Sequence, residues 1–175
     1  MDHPEEILLL KLSRFHVARL REPLATGGER IREVIRHPGA VTIVPILDDG
    51  RVCLIRNRRA AVAQTLLELP AGTLDPNEPP QVCAHRELSE ETGFLAKTMK
   101  PVQSFFMSPG ILDERMHLFV AEGLRSGPTC REPGELIENH IVTWREAISL
   151  VDSGAIQDAK TIVGLLMYDR LRDAR

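Results

Sequence analysis

Three glutamates on one face of a short helix constrain this chain more than any other feature. The stretch Gly72–Phe94 reads GTLDPNEPPQVCAHRELSEETGF. Pro79 and Pro80 suit a first helical turn, where a missing N–H is harmless, and Gly93 suits the left-handed residue that ends a helix. Within that helix Glu87, Glu90 and Glu91 stand at i, i+3 and i+4, so their side chains share a face. Like charges so placed repel by roughly a few tenths of a kcal/mol per pair. A solvated acidic face with an ordinary salt bridge is the plain reading. The sharper reading is a hard cation among the carboxylates: an all-oxygen set suits Mg²⁺ or Mn²⁺, and no nearby Cys/His pair is spaced for zinc. Arg86 can pair with a neighbouring carboxylate and hold it in place. Ala84 and Leu88, on the opposite face, can pack on a sheet.

Around this helix the text alternates between strands and helices. From Ile7 to Ile55 it reads as strands: Arg14–Arg21 and Arg30–Arg36 alternate apolar and polar residues, with the turn Leu24–Gly28 between them. Ala40–Leu47 and Val52–Ile55 are more continuously apolar, and Asp48-Asp49-Gly50 between them is a hairpin signal. Further strands are expected at Val102–Met107, Arg115–Ala121 and Ile137–Trp144, and Ser126–Gly134 reads as a loop. Trp144–Asp152 reads as a helix. Asp158 can cap a last one, whose Ala159, Ile162, Val163, Leu166 and Met167 recur at helical spacing. This order predicts a mixed sheet covered on both faces. The first third is either an extra meander on the same core or an arm for dimerisation.

Composition removes several function classes. The net charge of −3 argues against binding nucleic acid by bulk phosphate neutralisation, and seven aromatic residues are too few for a base-stacking platform. The early run Ile7–Leu10 is too short for a signal segment or a membrane span. Cys53, Cys83 and Cys130 are odd in number, widely spaced and free of any CxxC pair, which predicts packing residues in a reducing, cytoplasmic setting. The six histidines show no metal spacing.

The spacing within the acidic stretch is the decisive signal. It fits G-x5-E-x7-R-E-U-x-E-E-x-G-U, with U apolar, at Gly72, Glu78, Arg86, Glu87, Leu88, Glu90, Glu91, Gly93 and Phe94. At average residue usage the seven fixed matches arise by chance roughly once in a million such chains, so the plain reading fails. The segment resembles a complete Nudix box. That resemblance implies a single α/β domain: an α/β/α sandwich with a mixed sheet, the box as loop–helix–loop, and an N-terminal antiparallel strand extension. Residues 1–36 would be the arm, joining two copies as a homodimer, and 37–175 the core. It implies hydrolysis of a pyrophosphate that links a nucleoside to a second moiety, with Mg²⁺ or Mn²⁺ as cofactor. By the family pattern Glu87 and Glu91 are the main metal ligands, with the backbone carbonyl of Ala71. Glu90 is a further ligand or a partner of one. Glu135, or less favoured Glu132, is the water-activating carboxylate or an extra ligand. Glu135, Glu90 and Arg86 thus form the expected catalytic set.

Residues outside the box narrow the resemblance to the ADP-ribose pyrophosphatase branch. Leu66–Gly72 reads LLELPAG, Arg56–Arg59 reads RNRR, and Pro109 lies sixteen residues past Gly93. The resemblance implies substrate contacts at Arg59, on the phosphates or ribose, at Arg56, at Glu68 as a substrate or metal contact, and at Pro109-Gly110 as a loop over the sugar. A guanidinium reads phosphate through two parallel hydrogen bonds, so the arginine roles are chemically sound. The branch pattern R-Q-[YF]-R departs here: Asn57 keeps the amide but Arg58 replaces the aromatic, which weakens the expectation of ADP-ribose itself. The substrate class implied is a nucleoside diphosphate sugar: ADP-ribose first, giving AMP and ribose 5-phosphate, with a GDP-mannose-type substrate as the alternative. A non-catalytic ADP-ribose sensor would be expected to lose box glutamates, and none is lost. A nucleoside-triphosphatase is disfavoured by the Pro109 spacing. No nucleic-acid or membrane partner is expected.

Overall fold

The computed structural model describes residues 4–127 and 137–173. Two strands set the architecture. β4 (Ala40–Pro45) and β9 (Leu112–Ser126) pair in parallel from Ala40↔Met116 to Pro45↔Ala121. Parallel strands are found where both sheet faces are covered, and continuous apolar runs are their signature. Alternate residues here do go to opposite sides. Val41, Ile43, Phe119 and Ala121 pack against Cys83, Ala84 and Leu88 of α1 (Pro80–Thr92). Val44, Leu118 and Val120 pack with Trp144 and Ala147 of α2 (Trp144–Asp152) and with Leu165 and Tyr168 of α3 (Ala159–Asp173). The expected sandwich with a mixed sheet is thus the observed one.

The larger sheet runs β1 (Glu5–Lys11), β2 (His16–Pro23), β3 (Glu29–Arg36), β9, β4, β7 (Ala71–Thr73), and β8 (Phe94–Ser108) also pairs with β9. The smaller one runs β10 (Ile137–Val142), β5 (Val52–Arg59), β6 (Gln64–Glu68). The N-terminal meander joins the core sheet through β3, whose Ile35 N–H donates to the Ile111 carbonyl at 2.8 Å. Arg36 locks the junction. It holds Glu6 with Nη2 at 2.6 Å and Asp113 with Nη1 at 3.0 Å.

Several expectations are corrected. Asp48-Asp49-Gly50 does make a turn, with Leu47 N–H on the Arg51 carbonyl at 2.9 Å and Gly50 at φ +82°. Its two strands, however, do not form a hairpin. They meet only at the bridge Ile46↔Val52 and then part into different sheets, because β4 is claimed by β9 and β5 by β10. β5 runs on to Arg59, where pairing with β6 extends it past the apolar run. The strands expected at Val102–Met107 and Arg115–Ala121 are the half of β8 next to the β8–β9 turn and the middle of β9; both run further because Phe94–Pro101 continues the pairing along Phe119–Ser126, with Phe94, Ala96, Met99 and Leu124 packed in the core beneath α1. β6 and β7 were not expected. The caps behave as read: Gly93 ends α1 at φ +73°, and Asp158 Oδ2 accepts from the Thr161 N–H at 3.0 Å. Cys53 and Cys83 are fully buried packing residues, whereas Cys130 lies outside the described residues.

Leu88 is the knob by which α1 docks, fully buried between Val41, Ile43 and Phe119. Leu88→Ala should destabilise the fold by about 3 kcal/mol. The measurement is urea unfolding; a loss below about 1 kcal/mol would mean that α1 is not seated by this face.

Candidate active site

The carboxylate face of α1 turns toward β7, and one glycine makes the approach possible. A Cβ built on Gly72 would lie 1.9 Å from the Glu87 carboxyl carbon, so no larger residue leaves Glu87 in place. Glu91, only 5 % exposed, accepts from the Ala71 N–H at 2.8 Å through Oε2. This ties the end of the helix to the backbone beside Gly72. Glu90, on the next turn, is the most open of the three.

Arg86 joins these parts. Its Nη1 donates to Glu87 Oε1 at 2.7 Å and to Glu90 Oε2 at 3.1 Å. Nε and Nη2 hold the two oxygens of Glu78 at 3.0 and 2.9 Å, and Nη2 also reaches the Thr73 carbonyl at 3.3 Å. The loop before the helix and the acidic face are therefore fastened to one guanidinium. The hydrogen bond from Arg86 is the largest influence on Glu78 and holds its carboxyl down at about 2. The same bond raises Arg86 above its ordinary value.

Among the described residues no three His, Cys, Asp or Glu side chains converge as a ready metal cage. The donor chemistry nevertheless fits a hard divalent cation. Glu87, Glu90, Glu91 and the Ala71 carbonyl offer oxygen only, and Gly72 brings the backbone against Glu87.

This face opens on a cleft of about 760 Å³, whose walls include Ala71, Gly72, Arg86, Glu87, Glu90 and Glu91 from the box side. Asn57 and Arg59 line it from β5, Asp158 and Lys160 from the start of α3, and Met107, Glu114 and Met116 from the β8–β9 ribbon. Ser13 and Arg14, at the turn between β1 and β2, reach it from the arm of the same chain. A second hollow of about 650 Å³, between α3 and the β8–β9 ribbon, is walled by Val102, Val120, Val163, Leu166 and Met167 and holds none of the expected site residues.

Six of the expected residues thus meet in one cleft: Ala71, Arg86, Glu87, Glu90, Glu91 and Arg59. The others fall elsewhere. Glu68 is fully buried beneath the cleft wall. It receives Arg59 Nε at 2.8 Å, Arg59 Nη2 at 2.6 Å and Lys160 Nζ at 2.6 Å, so it holds other side chains rather than facing a ligand. Arg56 is exposed and, by strand alternation, points away from the face of Asn57 and Arg59; it is not in the lining. Pro109-Gly110 forms the exposed tip of the β8–β9 turn, with Ile111 N–H on the Ser108 carbonyl at 3.0 Å, and does not wall the cleft. Arg58 bends to the Ala63 carbonyl, Nη1 to O 2.5 Å. Glu132 and Glu135 lie outside the described residues.

Lys160, Glu114 and the Ser13-Arg14 turn were not foreseen, and Asp158 and Asn57 were read only as a helix cap and as the amide of the branch pattern. One of them carried a readable signal. A lysine in the first turn of a helix opposes the helix dipole, and its presence two residues after a capping aspartate implies a local anionic partner.

A sandwich whose loop–helix–loop presents a carboxylate face to an arginine-lined cleft defines a hydrolase-type α/β domain. The chain belongs to the Nudix family, whose NUDIX domain model matches residues 36–163. It is a Nudix hydrolase. It is 38% identical over 153 residues to the ADP-ribose pyrophosphatase of Bacillus subtilis (strain 168), covering 86% of this chain and 82% of that protein. It is 35% identical over 153 residues to the methanol dehydrogenase activator of Bacillus methanolicus, with the same 86% and 82% coverage. To the GDP-mannose pyrophosphatase of Yersinia enterocolitica it is 35% identical over 156 residues, covering 83% and 81%. The crystal structure of an ADP compounds hydrolase superposes with a TM-score of 0.86 at 22% identity, over 99% of this chain and 96% of that one, which shows the shared fold.

The Arg86–Glu78 pair generates a pH test. The folded carboxyl sits at about 2, below its ordinary 4.5. Its contribution to stability is therefore complete above about 4.5 and lost as pH falls through about 2. The thermal midpoint of the wild type should exceed that of Glu78→Gln at pH 6, and the gap should close between pH 4.5 and 2. A gap that persists unchanged at pH 2 would remove the ion pair as its source.

Proposed function

We propose that this chain hydrolyses the pyrophosphate bond of nucleoside diphosphate sugars, ADP-ribose first, to AMP and ribose 5-phosphate. The observation that carries the reading is the acidic face of α1, set by Gly72 against the backbone of Ala71 and opening on a cleft that Arg59 also lines. The similarity to an ADP-ribose pyrophosphatase over most of both chains supports the substrate class. Glu87, Glu91 and the Ala71 carbonyl are the proposed ligands of divalent metal, Mg²⁺ foremost and Mn²⁺ in its place, with Glu90 as a further ligand. Divalent cations held there supply charge neutralisation on the phosphate oxygens and lower the pKa of an attacking water. Arg59, whose Nε and Nη2 hold Glu68, binds the diphosphate through Nη1 and the remaining Nη2 hydrogen, and Arg86 bridges Glu87 and Glu90 through Nη1. Glu135 is the proposed acceptor of the water proton. One water is consumed, one P–O–P bridge is cleaved, and no orthophosphate forms. The GDP-mannose reading stands second, favoured by the similarity to a protein of that name.

Glu87→Gln and Glu91→Gln keep shape but remove a charge from a ligand. Each should lower turnover of ADP-ribose about a hundredfold or more at saturating Mg²⁺. The assay follows AMP, GMP or UMP release from a panel of sugar nucleotides. Near-normal activity of both variants would overturn the ligand assignment, and orthophosphate as first product would exclude the reaction.

We assign the working compartment to the cytoplasm, on the unpaired, buried Cys53 and Cys83, and the working form to a homodimer. No helix among the described residues is long and apolar enough to cross a membrane. The dimer reading rests on the arm, residues 1–36, where Leu8, Leu10, Leu12 and Ile31 stand exposed in the single chain. Residues 37–175 form the core of the same domain. Light scattering at micromolar concentration should give twice the chain mass, and removal of residues 1–26 should lower it. A wild type of single-chain mass would overturn the dimer.

A further inference from the structure

Lys160 stands in the first turn of α3, the least favourable end of a helix for a cation, and is only 7 % exposed. Its ammonium donates to Glu68 Oε2 at 2.6 Å and meets Asp158 Oδ2 at 2.9 Å. Glu68, fully buried at the end of β6, receives Arg59 on both oxygens, Nε to Oε1 at 2.8 Å and Nη2 to Oε2 at 2.6 Å. The Arg59 side chain is 41 % exposed and lines the cleft. Three elements are thus linked in line: a buried ammonium on α3, a buried carboxylate on β6, and an open guanidinium on β5.

We infer that Lys160 is a positioning residue for substrate binding, acting through Glu68 to hold the Arg59 guanidinium in the orientation that receives the substrate diphosphate. The inference rests on the nucleotide-sugar reading above. Its physical basis is the accounting of Glu68. A carboxylate offers about four acceptor sites, and a buried one must fill them or lose its charge. Burial is the largest influence on Glu68 and pushes its carboxyl up; the Arg59 hydrogen bond and the Lys160 charge together outweigh it and bring the carboxyl below its ordinary value. Without Lys160, Arg59 becomes, among the described residues, the only cation in contact with this buried carboxylate. The guanidinium is then drawn into the wall, and its Nη1 edge, the one not spent on Glu68, turns from the cleft. Asp158 completes the far end, balancing Lys160 while it caps the helix. The seat of α3 does not depend on Lys160 alone. The Leu69 N–H donates to Thr161 Oγ1 at 2.8 Å, and that hydroxyl donates to Asp158 Oδ2 at 2.5 Å. A change at residue 160 therefore leaves the helix a second anchor on the same strand end.

The test is a cycle of Lys160→Met, Arg59→Ala and the double variant, assayed on ADP-ribose at saturating Mg²⁺ with folding checked by circular dichroism. Lys160→Met should raise KM about tenfold with kcat within about threefold, and the double variant should have the KM of Arg59→Ala within about twofold, because both act at one contact. Lys160→Arg, which keeps the charge, should recover most of the loss. An unchanged KM in Lys160→Met, or KM factors that multiply in the double variant, would overturn the inference. If Lys160→Met does not fold, Lys160→Gln takes its place with the same expected pattern. Calorimetric binding of ADP to the same four proteins separates the two claims. A wild type that cleaves no sugar nucleotide sinks the substrate reading, while ADP affinity that falls together and non-additively in the variants still upholds the relay.

Discussion

The structure depends on one guanidinium placed among carboxylates. Glu87 and Glu90 crowd a single helical face and would repel, but Arg86 bonds both and reaches back to Glu78 and the Thr73 carbonyl. A planar cation with five donors can do this; a lysine, with a compact head, cannot span the same set. The consequence is mechanical as well as electrostatic. The loop from β7 to α1 has little apolar content to hold it, and its course is fixed because Glu78 is fastened to the helix it precedes.

A second constraint works at the junction of β6 and β7. The segment Glu68–Ala71 is gripped from four directions: Arg59 and Lys160 on Glu68, Thr161 on the Leu69 N–H, the Ile43 N–H on the Pro70 carbonyl at 2.9 Å, and Glu91 on the Ala71 N–H. This fixes the backbone of Ala71 beside the Glu91 carboxylate, and Leu69 adds a fully buried side chain to the same anchor. It also means that the last helix, remote in sequence, takes part in shaping the site.

The arm is integral to the sheet and not a loose appendage. The parallel contact with β9 and the Arg36 bonds to Glu6 and Asp113 fix its base, and the turn at Ser13-Arg14 then overhangs the cleft. Its exposed leucines are a different matter: they face outward from the single chain, where a further surface would cover them.

The box helix, its caps, its acidic face and its buried Ala84–Leu88 face were legible in the sequence, because helical periodicity and capping are local. So was the burial of β4 and of Val52–Ile55 in β5, written as nearly continuous apolar runs. The hairpin expected at Asp48-Asp49-Gly50 was misleading, since local turn chemistry is blind to the competition by which β9 and β10 draw the two strands apart. Glu68 shows the same limit at the site. Its neighbours in sequence are leucines and a proline, and nothing within ten residues except Arg59 reveals that it is a buried counter-ion; the other partner, Lys160, is 92 positions away. Arg56 and Pro109-Gly110 were placed in the cleft by motif, while strand alternation and a tight turn direct them elsewhere. The sequence by itself determined which oxygen-bearing side chains share the open face of α1 and which face is buried, because both follow from short-range spacing. Only the tertiary structure decided which charges are paired, which face a ligand, and which merely hold others in position, because those depend on contacts between strands and helices that no local pattern encodes.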